Sequence, residues 1–274
     1  MFSDILMTVD FDRTLTAPDG SIPERNIEAI RYFMENGGSF TVNTGRSYVS
    51  FLPFLNIVPV NAPLLLMNGS ASYDNGAFVD VQYLPADVWP AAQRVAQAFP
   101  GVNMEFQNPD MHYLVNPSEA YAAYYQESGF PHQLADPAID HGPFVKIGVY
   151  GDLSGKHVPN EQDEKRLFDQ VEAFLNQEFG DRLVVFRATP RIINVHTKEA
   201  SKLQAAKNLQ KKLGKKILVC VGDEGNDIPM LKGADFAFCP SDGAVADQFP
   251  NVCPCGDGAI ADVIYEKLPK ILKG

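Results

Sequence analysis

The chain has 274 residues, of which 45% are hydrophobic and 21% charged, a composition typical of a soluble globular enzyme with one large domain or two smaller ones. Its formal net charge is −11 and no basic stripe is visible, which argues against nucleic acid as a partner. No uncharged apolar run reaches the roughly 18 residues that a membrane span needs, and the N-terminus lacks a basic region, so we expect neither a membrane helix nor a secretory signal.

The first 70 residues alternate between apolar strands and amphipathic helices. The apolar run at residues 4–11 is typical of a buried parallel strand, and a helix follows it, with Ser21 as the predicted N-cap and residues 36–38 ending it. Further strands are predicted at residues 39–43 and 64–67. This alternation predicts a parallel sheet with right-handed crossovers.

The same alternation resumes near the C-terminus. We predict a helix over residues 199–213, a strand over 216–221, a helix beginning near Asn226, a strand over 234–239 and a closing helix over 258–268.

Between these halves the pattern changes, and prolines and glycines are frequent at the joints. Helices are predicted at residues 86–99, 117–128 and 161–179, and strands at 102–107, 111–115, 144–150 and 183–187. We therefore predict an α/β fold in which a Rossmann-like parallel-sheet core, residues 1–81 and 191–274, carries an inserted α/β domain, residues 82–190. The junctions are expected near residues 74–82 and 187–194, because a loop carries an insertion at small entropic cost.

The four cysteines are predicted to be structural. Cys220 and Cys239 lie in apolar runs, where cysteine behaves as a small hydrophobe. Cys253 and Cys255 lack the second pair or nearby histidine that would complete a zinc site, and the five histidines show no metal-ligand spacing. This usage fits a reducing cytoplasm, where we expect the protein.

Asp10 and Asp12 stand where the first strand ends. Ligands of open parallel sheets bind at the carboxyl ends of the strands. A carboxylate there can attack phosphorus, and a second acid can protonate the leaving oxygen and later deprotonate water. Alone, this D-x-D pattern is equally compatible with a strand that simply ends in acids.

Thr44, Gly45 and Arg46 follow the second strand and precede a short predicted helix. A hydroxyl, a glycine that permits close approach and the N–H groups of a helix start can together hold a phosphate. The alternative is an N-cap threonine followed by a turn glycine.

Residues 222–227, Gly-Asp-Glu-Gly-Asn-Asp, end a strictly apolar strand. Acids there would repel Asp10 unless a cation lay among them, and Mg²⁺ is the natural oxygen-bound choice. The alternative is a polar turn in which Asn226 or Asp227 caps the next helix. On pattern alone no spacing rule selects Lys202 from Lys198 and Lys207.

Taken together and in this order, D-F-D-R-T-L-T, T-G-R, the Ser201-Lys202 pair and G-D-E-G-N-D resemble the haloacid dehalogenase-like hydrolases. The long insertion after the third strand is similar to that of the Cof-type phosphatases, the branch with a large α/β cap. The likeness in layout covers the whole chain, and the motifs occupy about twenty residues of it.

The resemblance implies a role for each motif residue. Asp10 would be the nucleophile and a Mg²⁺ ligand, and Asp12 the general acid/base that also gives the metal its backbone carbonyl. Lys202 would steady the nucleophile and the charge of the transferring group. Asp223 would bind Mg²⁺ with Asp227 close behind. Thr44, Gly45 and Arg46, with Asn226, would contact the phosphorylated substrate.

The same resemblance favours a Mg²⁺-dependent phosphatase acting on a small phosphorylated metabolite through an aspartyl-phosphate. Relatives that dehalogenate lack the second acid and the transport ATPases carry threonine there, so Asp12 favours hydrolysis of a phosphate ester or a mutase reaction. Sugar phosphates are the favoured substrate, before nucleotides or a phosphorylated cofactor. A phosphomutase of the same build and a non-catalytic sensor of phosphorylated metabolites are the alternatives, and no oligomeric state is predicted.

One position departs from the family pattern. Arg13 stands where these proteins usually have glycine. An arginine with a strained backbone would be costly there, or it would reach the substrate.

Overall fold

The structure is a computed structural model that describes residues 1–136, 139–151 and 161–272. Contacts divide the chain into two compact units. Unit 1 comprises Met1–Arg46, Leu52–Val79 and Ala200–Gly274, and unit 2 comprises Ser47–Phe51 and Asp80–Glu199.

Strands and helices alternate through most of the described residues. The strands are β1 (Ile5–Val9), β2 (Ser39–Val42), β3 (Leu64–Leu66), β4 (Ala71–Asp74), β5 (Ala77–Val79), β6 (Asn103–Gln107), β7 (His112–Val115), β8 (His132–Leu134), β9 (Lys146–Tyr150), β10 (Leu183–Thr189), β11 (Ile192–Thr197), β12 (Ile217–Val221), β13 (Phe236–Pro240) and β14 (Asn251–Val252). The α-helices are α1 (Glu24–Glu35), α2 (Tyr48–Phe51), α3 (Val88–Ala98), α4 (Glu119–Ser128), α5 (Glu161–Phe179), α6 (Lys202–Lys212), α7 (Ile228–Gly233), α8 (Ala259–Asp262) and α9 (Leu268–Ile271).

Unit 1 is built on a parallel sheet with strand order β14-β13-β12-β1-β2. Every residue of β1 is buried, as its continuous apolar sequence predicts for a strand covered on both faces. Leu6 and its neighbour Leu218 on β12 pack against residues of α6 and α7. A separate antiparallel sheet, β3-β4-β5, follows in the sequence. An isolated parallel bridge between Asn43, which follows β2, and Leu65 of β3 links the two sheets.

This topology brings three loops of unit 1 to one edge. β12 and β2 are the two neighbours of β1 and run parallel to it, so their carboxyl ends lie side by side. Asp10 follows β1, Thr44 comes shortly after β2, and Asp223 follows β12. Segments more than 200 residues apart in sequence therefore meet at this edge.

Unit 2 contains a six-stranded sheet with order β10-β11-β9-β6-β7-β8, antiparallel except for the β7–β8 pair. Its core contains Trp89 of α3 and Phe168 and Phe179 of α5, which pack with Phe106 and Ile147 of the sheet.

The predicted fold class is confirmed, but several boundaries differ. The predicted core, residues 1–81 and 191–274, includes residues 192–197, whereas these form β11, which pairs with β10 and β9 and so lies in unit 2. Residues 47–51 also group with unit 2. The helix predicted to begin near Asn226 starts there with a 3₁₀ turn, Gly225–Asp227, that leads directly into α7.

Ser21 does not cap the first helix as predicted. α1 begins three residues later, directly after Pro23, and both the backbone N–H and the hydroxyl of Ser21 donate to the carboxylate of Asp19. In the part of the chain that the structure describes, no helix is both long and apolar enough to cross a membrane.

Candidate active site

A buried lysine joins two of the aspartates at the sheet edge of unit 1. The Nζ of Lys202 donates to Oδ1 of Asp10 over 2.6 Å and to Oδ1 of Asp227 over 2.7 Å. All three side chains are buried, with Asp227 fully enclosed. Lys202 is the first residue of α6, where the Ser201 hydroxyl caps the helix by accepting from the Gln204 N–H. The cap thus fixes the start of the helix that carries the lysine.

A third aspartate completes an acidic cluster. The Thr14 hydroxyl donates to Oδ1 of Asp223 over 2.8 Å. One carboxylate oxygen from each of Asp10, Asp223 and Asp227 lies within 4.8 Å of the other two. The structure thus brings together three of the four predicted metal-binding residues.

The turn after β12 explains why this cluster needs a glycine. Oδ2 of Asp227 accepts the backbone N–H groups of Asp223 and Glu224, over 3.1 and 3.2 Å. This folds the Asp227 side chain back against Gly222, where a Cβ atom would lie only 2.6 Å from the Cβ of Asp227. Any larger residue at position 222 would displace Asp227.

Burial and the charges of neighbouring groups shift the pKa values of the site residues. Burial, opposed by Lys202 and reinforced by Asp227, raises the pKa of Asp10 well above its usual value. Burial raises the pKa of Asp223 to about 6, although the Thr14 hydrogen bond opposes the change. Burial disfavours the Lys202 ammonium, but Asp10 and Asp227 outweigh it and raise the lysine pKa. The ammonium group of Lys202 is therefore the one positive charge described among the three aspartates of this cluster.

This donor set fits a hard divalent cation. All three candidate ligands are carboxylates, which Mg²⁺ prefers over nitrogen or sulfur. Both oxygens of Asp227 already accept hydrogen bonds, from Lys202 and from the backbone. In the described residues Asp10 and Asp223 each accept hydrogen bonds through Oδ1 alone, which leaves Oδ2 of each for a metal. A cation there would offset both the burial of these carboxylates and their mutual repulsion, which together raise their pKa values.

Asp12 does not join the acidic cluster through its side chain. Its two oxygens accept from Nε and a terminal nitrogen of Arg46, over 2.8 and 2.7 Å, and its side chain is 51% exposed. The Arg46 guanidinium also lies 5.0 and 5.2 Å from the ring centroids of Phe11 and Phe54. The predicted substrate-binding arginine therefore holds the predicted acid/base.

The other predicted substrate contacts form a second group. Thr44 is buried, and its Oγ1 accepts from the Arg46 N–H over 3.1 Å. The Asn226 amide lies 3.5 Å from Oδ1 of Asn68, and a Cβ atom at Gly45 would lie 3.1 Å from that same oxygen. The predicted helix start is displaced, since α2 begins at Tyr48, two residues beyond Arg46.

Arg13 adopts the left-handed conformation, with φ 57° and ψ 12°. Its backbone N–H donates to the Thr16 hydroxyl over 3.1 Å. The side chain is exposed, and in the described residues it forms no hydrogen bond or ion pair. The backbone here is strained for an arginine, because the left-handed conformation is readily adopted only by glycine and, less often, by asparagine and aspartate.

Sequence reasoning missed three residues that support the site: Thr14, Asn43 and Asn68. Asn43 donates to the backbone carbonyl of Lys202 over 2.8 Å and so ties β2 to α6. Asn68 adopts a left-handed conformation with φ 57°, which asparagine tolerates better than most residues. Their signal was position, because Thr14 lies inside the D-F-D-R-T-L-T motif, and Asn43 and Asn68 each follow or end an apolar run close to a predicted motif.

Comparison with known proteins decides the family. Residues 7–245 match the profile of the haloacid dehalogenase-like hydrolases. The chain belongs to this family. The resemblance found in the sequence, including the Cof-type branch, is therefore confirmed, as is the enzyme class, a phosphoric monoester hydrolase.

Relatives of known sequence or structure share the whole layout of this haloacid dehalogenase-like hydrolase. A Haemophilus influenzae protein named "Putative phosphatase" is 24% identical over 232 residues, covering 83% of this chain and 82% of that protein. The structure of a haloacid dehalogenase-like hydrolase from Bacteroides thetaiotaomicron has a TM-score of 0.80 at 19% identity, covering 94% of this chain and 97% of the other. A subclass IIB sugar phosphatase has a TM-score of 0.71 at 18% identity, with the same coverage of both chains. At these identities the solved structures share the fold alone.

Proposed function

We propose that the chain is a Mg²⁺-dependent phosphatase that hydrolyses a small phosphorylated metabolite through an aspartyl-phosphate on Asp10. One observation carries the proposal: Lys202 joins Asp10 to Asp227 beside Asp223, at the carboxyl edge of a parallel sheet. A buried nucleophile, a fixed positive charge and a place for a hard cation are the parts that phosphoryl transfer requires.

In the first step a carboxylate oxygen of Asp10 attacks phosphorus, and the bond from phosphorus to the ester oxygen breaks. Asp12 gives its proton to the departing oxygen, so the alcohol leaves neutral. Lys202 keeps the Asp10 carboxylate in place and offsets negative charge on the phosphoryl group. A bound Mg²⁺ would supply further stabilisation of that charge, held by Asp10 and Asp223.

In the second step Asp12, now ionised, takes a proton from water, and the resulting hydroxide attacks phosphorus. The bond from Asp10 to phosphorus breaks, which releases phosphate and restores both aspartates. Both oxygens of Asp12 accept from Arg46 in this structure. Proton donation therefore requires at least one of these bonds to open when substrate binds.

We propose that unit 2 acts as the cap that selects the substrate, with hydroxyl-rich sugar phosphates favoured over nucleotides and phosphorylated cofactors. Thr44, Gly45, Arg46 and Asn226 are proposed to hold the phosphate. A cytoplasmic location stays a prediction.

Asp10→Asn tests the proposal directly. The variant should release no phosphate from p-nitrophenyl phosphate at Mg²⁺ concentrations that saturate the wild type, because an amide is not a nucleophile at this position. EDTA should silence the wild type and added Mg²⁺ should restore it. The matched control is Asp4→Asn, since within the described residues the Asp4 side chain forms only an exposed ion pair, with Lys216. Turnover by Asp10→Asn would remove Asp10 as the nucleophile.

A phosphomutase would release little inorganic phosphate without a bisphosphate activator, and a sensor would bind ligand without turnover. The same phosphate-release assay therefore separates both alternatives from the proposed hydrolase.

A further inference from the structure

Four fully buried side chains of unit 1 form a hydrogen-bonded cluster close to the acidic residues. They are Thr8 of β1, Asn43 directly after β2, Cys220 of β12 and Met230 of α7. The Thr8 hydroxyl donates to the sulfur of Met230 over 3.6 Å, so its contact of 3.4 Å with Cys220 leaves the thiol as the donor. The cluster therefore joins β1, β12 and α7, the three elements that border the acidic cluster.

Asn43 connects this buried cluster to the lysine of the candidate active site. Its side-chain amide donates to the backbone carbonyl of Lys202 over 2.8 Å and, more weakly, to the sulfur of Met230 over 3.4 Å. A carbonyl oxygen can only accept, so the amide must present its NH₂ group to Lys202. The contact with Lys202 thus fixes the orientation of the amide.

The bond from Asn43 is additional to the hydrogen bonds of the helix. Lys202 is the first residue of α6, and in a regular helix its carbonyl accepts the N–H of the next turn. A carbonyl oxygen has two lone pairs, so Asn43 uses the one that the helix leaves free. The bond therefore fixes the first turn of α6 to the end of β2, and the helix would form without it.

An asparagine at this position lowers stability in a way that an apolar residue would avoid. Asn43 is 0% exposed, and its Oδ1 has no hydrogen-bond partner among the described residues. A buried acceptor without a donor is destabilising. The position directly follows β2, whose four residues are all buried, so an apolar side chain would suit it better. The NH₂ group and its bond to Lys202 are what explain the asparagine.

We propose that Asn43 is a positioning residue for Lys202. The inference rests on the proposed phosphatase function, in which the Lys202 ammonium steadies Asp10 and offsets charge on the phosphoryl group. This ammonium reaches Asp10 over 2.6 Å and Asp227 over 2.7 Å from the very start of a helix, where helices fray. By holding the Lys202 carbonyl, Asn43 keeps the ammonium between the two carboxylates.

Asn43→Leu tests this role, because leucine has a similar branched shape and no donor. For p-nitrophenyl phosphate at saturating Mg²⁺, kcat should fall about tenfold, the worth of one neutral hydrogen bond. KM should stay within about twofold of the wild type, because Lys202 acts on charge that develops during transfer. Asn43→Ala, which cannot overfill the site, should show the same loss of kcat. Thermal melting followed by circular dichroism confirms that each variant is folded at the assay temperature.

Two controls separate positioning from stability. Thr41→Val removes another buried hydrogen bond of β2, from the Thr41 hydroxyl to the Pro63 carbonyl over 2.6 Å, and should lower the melting temperature. Met230→Leu removes the weaker partner of the Asn43 amide and leaves its bond to Lys202. Both controls should keep kcat within about twofold of the wild type, because neither removes a contact of Lys202.

A double variant shows whether Asn43 acts through Lys202. Once the ammonium is gone, Asn43→Leu has nothing left to misplace. The kcat of the double variant Asn43→Leu/Lys202→Met should therefore equal that of Lys202→Met within about twofold. An effect of Asn43 through any other group would lower kcat by the same factor in both backgrounds.

The outcomes separate the two proposals. A folded Asn43→Leu variant with the wild-type kcat would overturn this inference alone, as would a further loss of about tenfold in the Lys202→Met background. An equal loss of kcat in Thr41→Val, or failure of both Asn43 variants to fold, would show a structural role and overturn it too. A wild type that releases phosphate from no ester tested would overturn the proposed function and this inference with it.

Discussion

Arg13→Gly should stabilise the protein, because the backbone at this position already has the conformation that glycine prefers. With φ 57° and ψ 12°, Arg13 occupies the left-handed region, where a Cβ atom costs roughly 1–2 kcal/mol. Glycine loses about 0.5–1 kcal/mol of that gain through the greater freedom of the unfolded chain. The expected net gain in the free energy of unfolding is about 0.5–1 kcal/mol, or about 1–4 °C in Tm for a protein of this size.

Arg13→Ala is the matched control. It removes the same exposed side chain but keeps the Cβ atom, so its unfolding free energy should stay within about 0.5 kcal/mol of the wild type. Urea denaturation followed by circular dichroism measures both variants. If Arg13→Gly is no more stable than Arg13→Ala, the backbone strain assigned to this turn is wrong.

The same pair of variants separates the two alternatives for Arg13. If the guanidinium reaches the substrate, KM should rise equally in Arg13→Gly and Arg13→Ala. If the position matters only through its backbone, KM should stay at the wild-type value in both. We expect the second result, since the side chain is exposed and makes no hydrogen bond in the described residues.

Three further predictions concern lysines and a threonine. Lys202→Met should lower kcat for p-nitrophenyl phosphate about 100- to 1,000-fold, because it removes a positive charge next to the phosphoryl group. The control Lys198→Met should leave kcat unchanged, because Lys198 is exposed. Thr14→Val should raise the Mg²⁺ concentration for half-maximal activity about tenfold, because Asp223 loses the hydrogen bond that orients it; an unchanged Mg²⁺ titration would contradict this. Burial lowers the pKa of Lys146 from 10.5 to about 8, so the unfolded state binds more protons between these values and stability should rise with pH there. At 1.36 kcal/mol per pKa unit, the free energy of unfolding should rise by about 3 kcal/mol relative to that of Lys146→Met. Urea denaturation of both proteins from pH 7 to 10.5 measures this difference. Parallel pH profiles for the two proteins would refute the prediction.

The acidic cluster was predictable because it depends on strand ends. Apolar runs locate β1 and β12 in the sequence, and parallel strands of one sheet share a carboxyl edge, so Asp10 and Asp223 had to lie close together. Lys202 could not be chosen from Lys198 and Lys207 by spacing, since its selection depends on where α6 lies against the sheet.

The Asp12–Arg46 pair was not predictable from either motif. Both residues were assigned to the site, but their pairing depends on rotamers and on the two aromatic rings beside the guanidinium. The buried polar face of the six-stranded sheet in unit 2 was missed for a different reason. Glu105, Gln107 and Asn194 alternate with apolar residues, a pattern that usually indicates a solvent-exposed face, whereas here these side chains are buried.

The assignment of residues 192–197 to the wrong domain has a simple cause. The strand pattern in the sequence ends at residue 187. The connection between β10 and β11 is too short to be recognised as a turn, so the hairpin that keeps the chain in unit 2 was not predicted. Pairing between neighbouring strands, rather than composition, sets this boundary.

Trapping the covalent intermediate tests the nucleophile most directly. The enzyme is mixed with Mg²⁺ and p-nitrophenyl phosphate, quenched, treated with borohydride, which reduces an acyl phosphate to an alcohol, and digested for mass spectrometry. We expect homoserine at position 10 in the wild type, and only when substrate is present. Rapid turnover with an unmodified Asp10, or with the modification at Asp12, Asp223 or Asp227, would contradict the account.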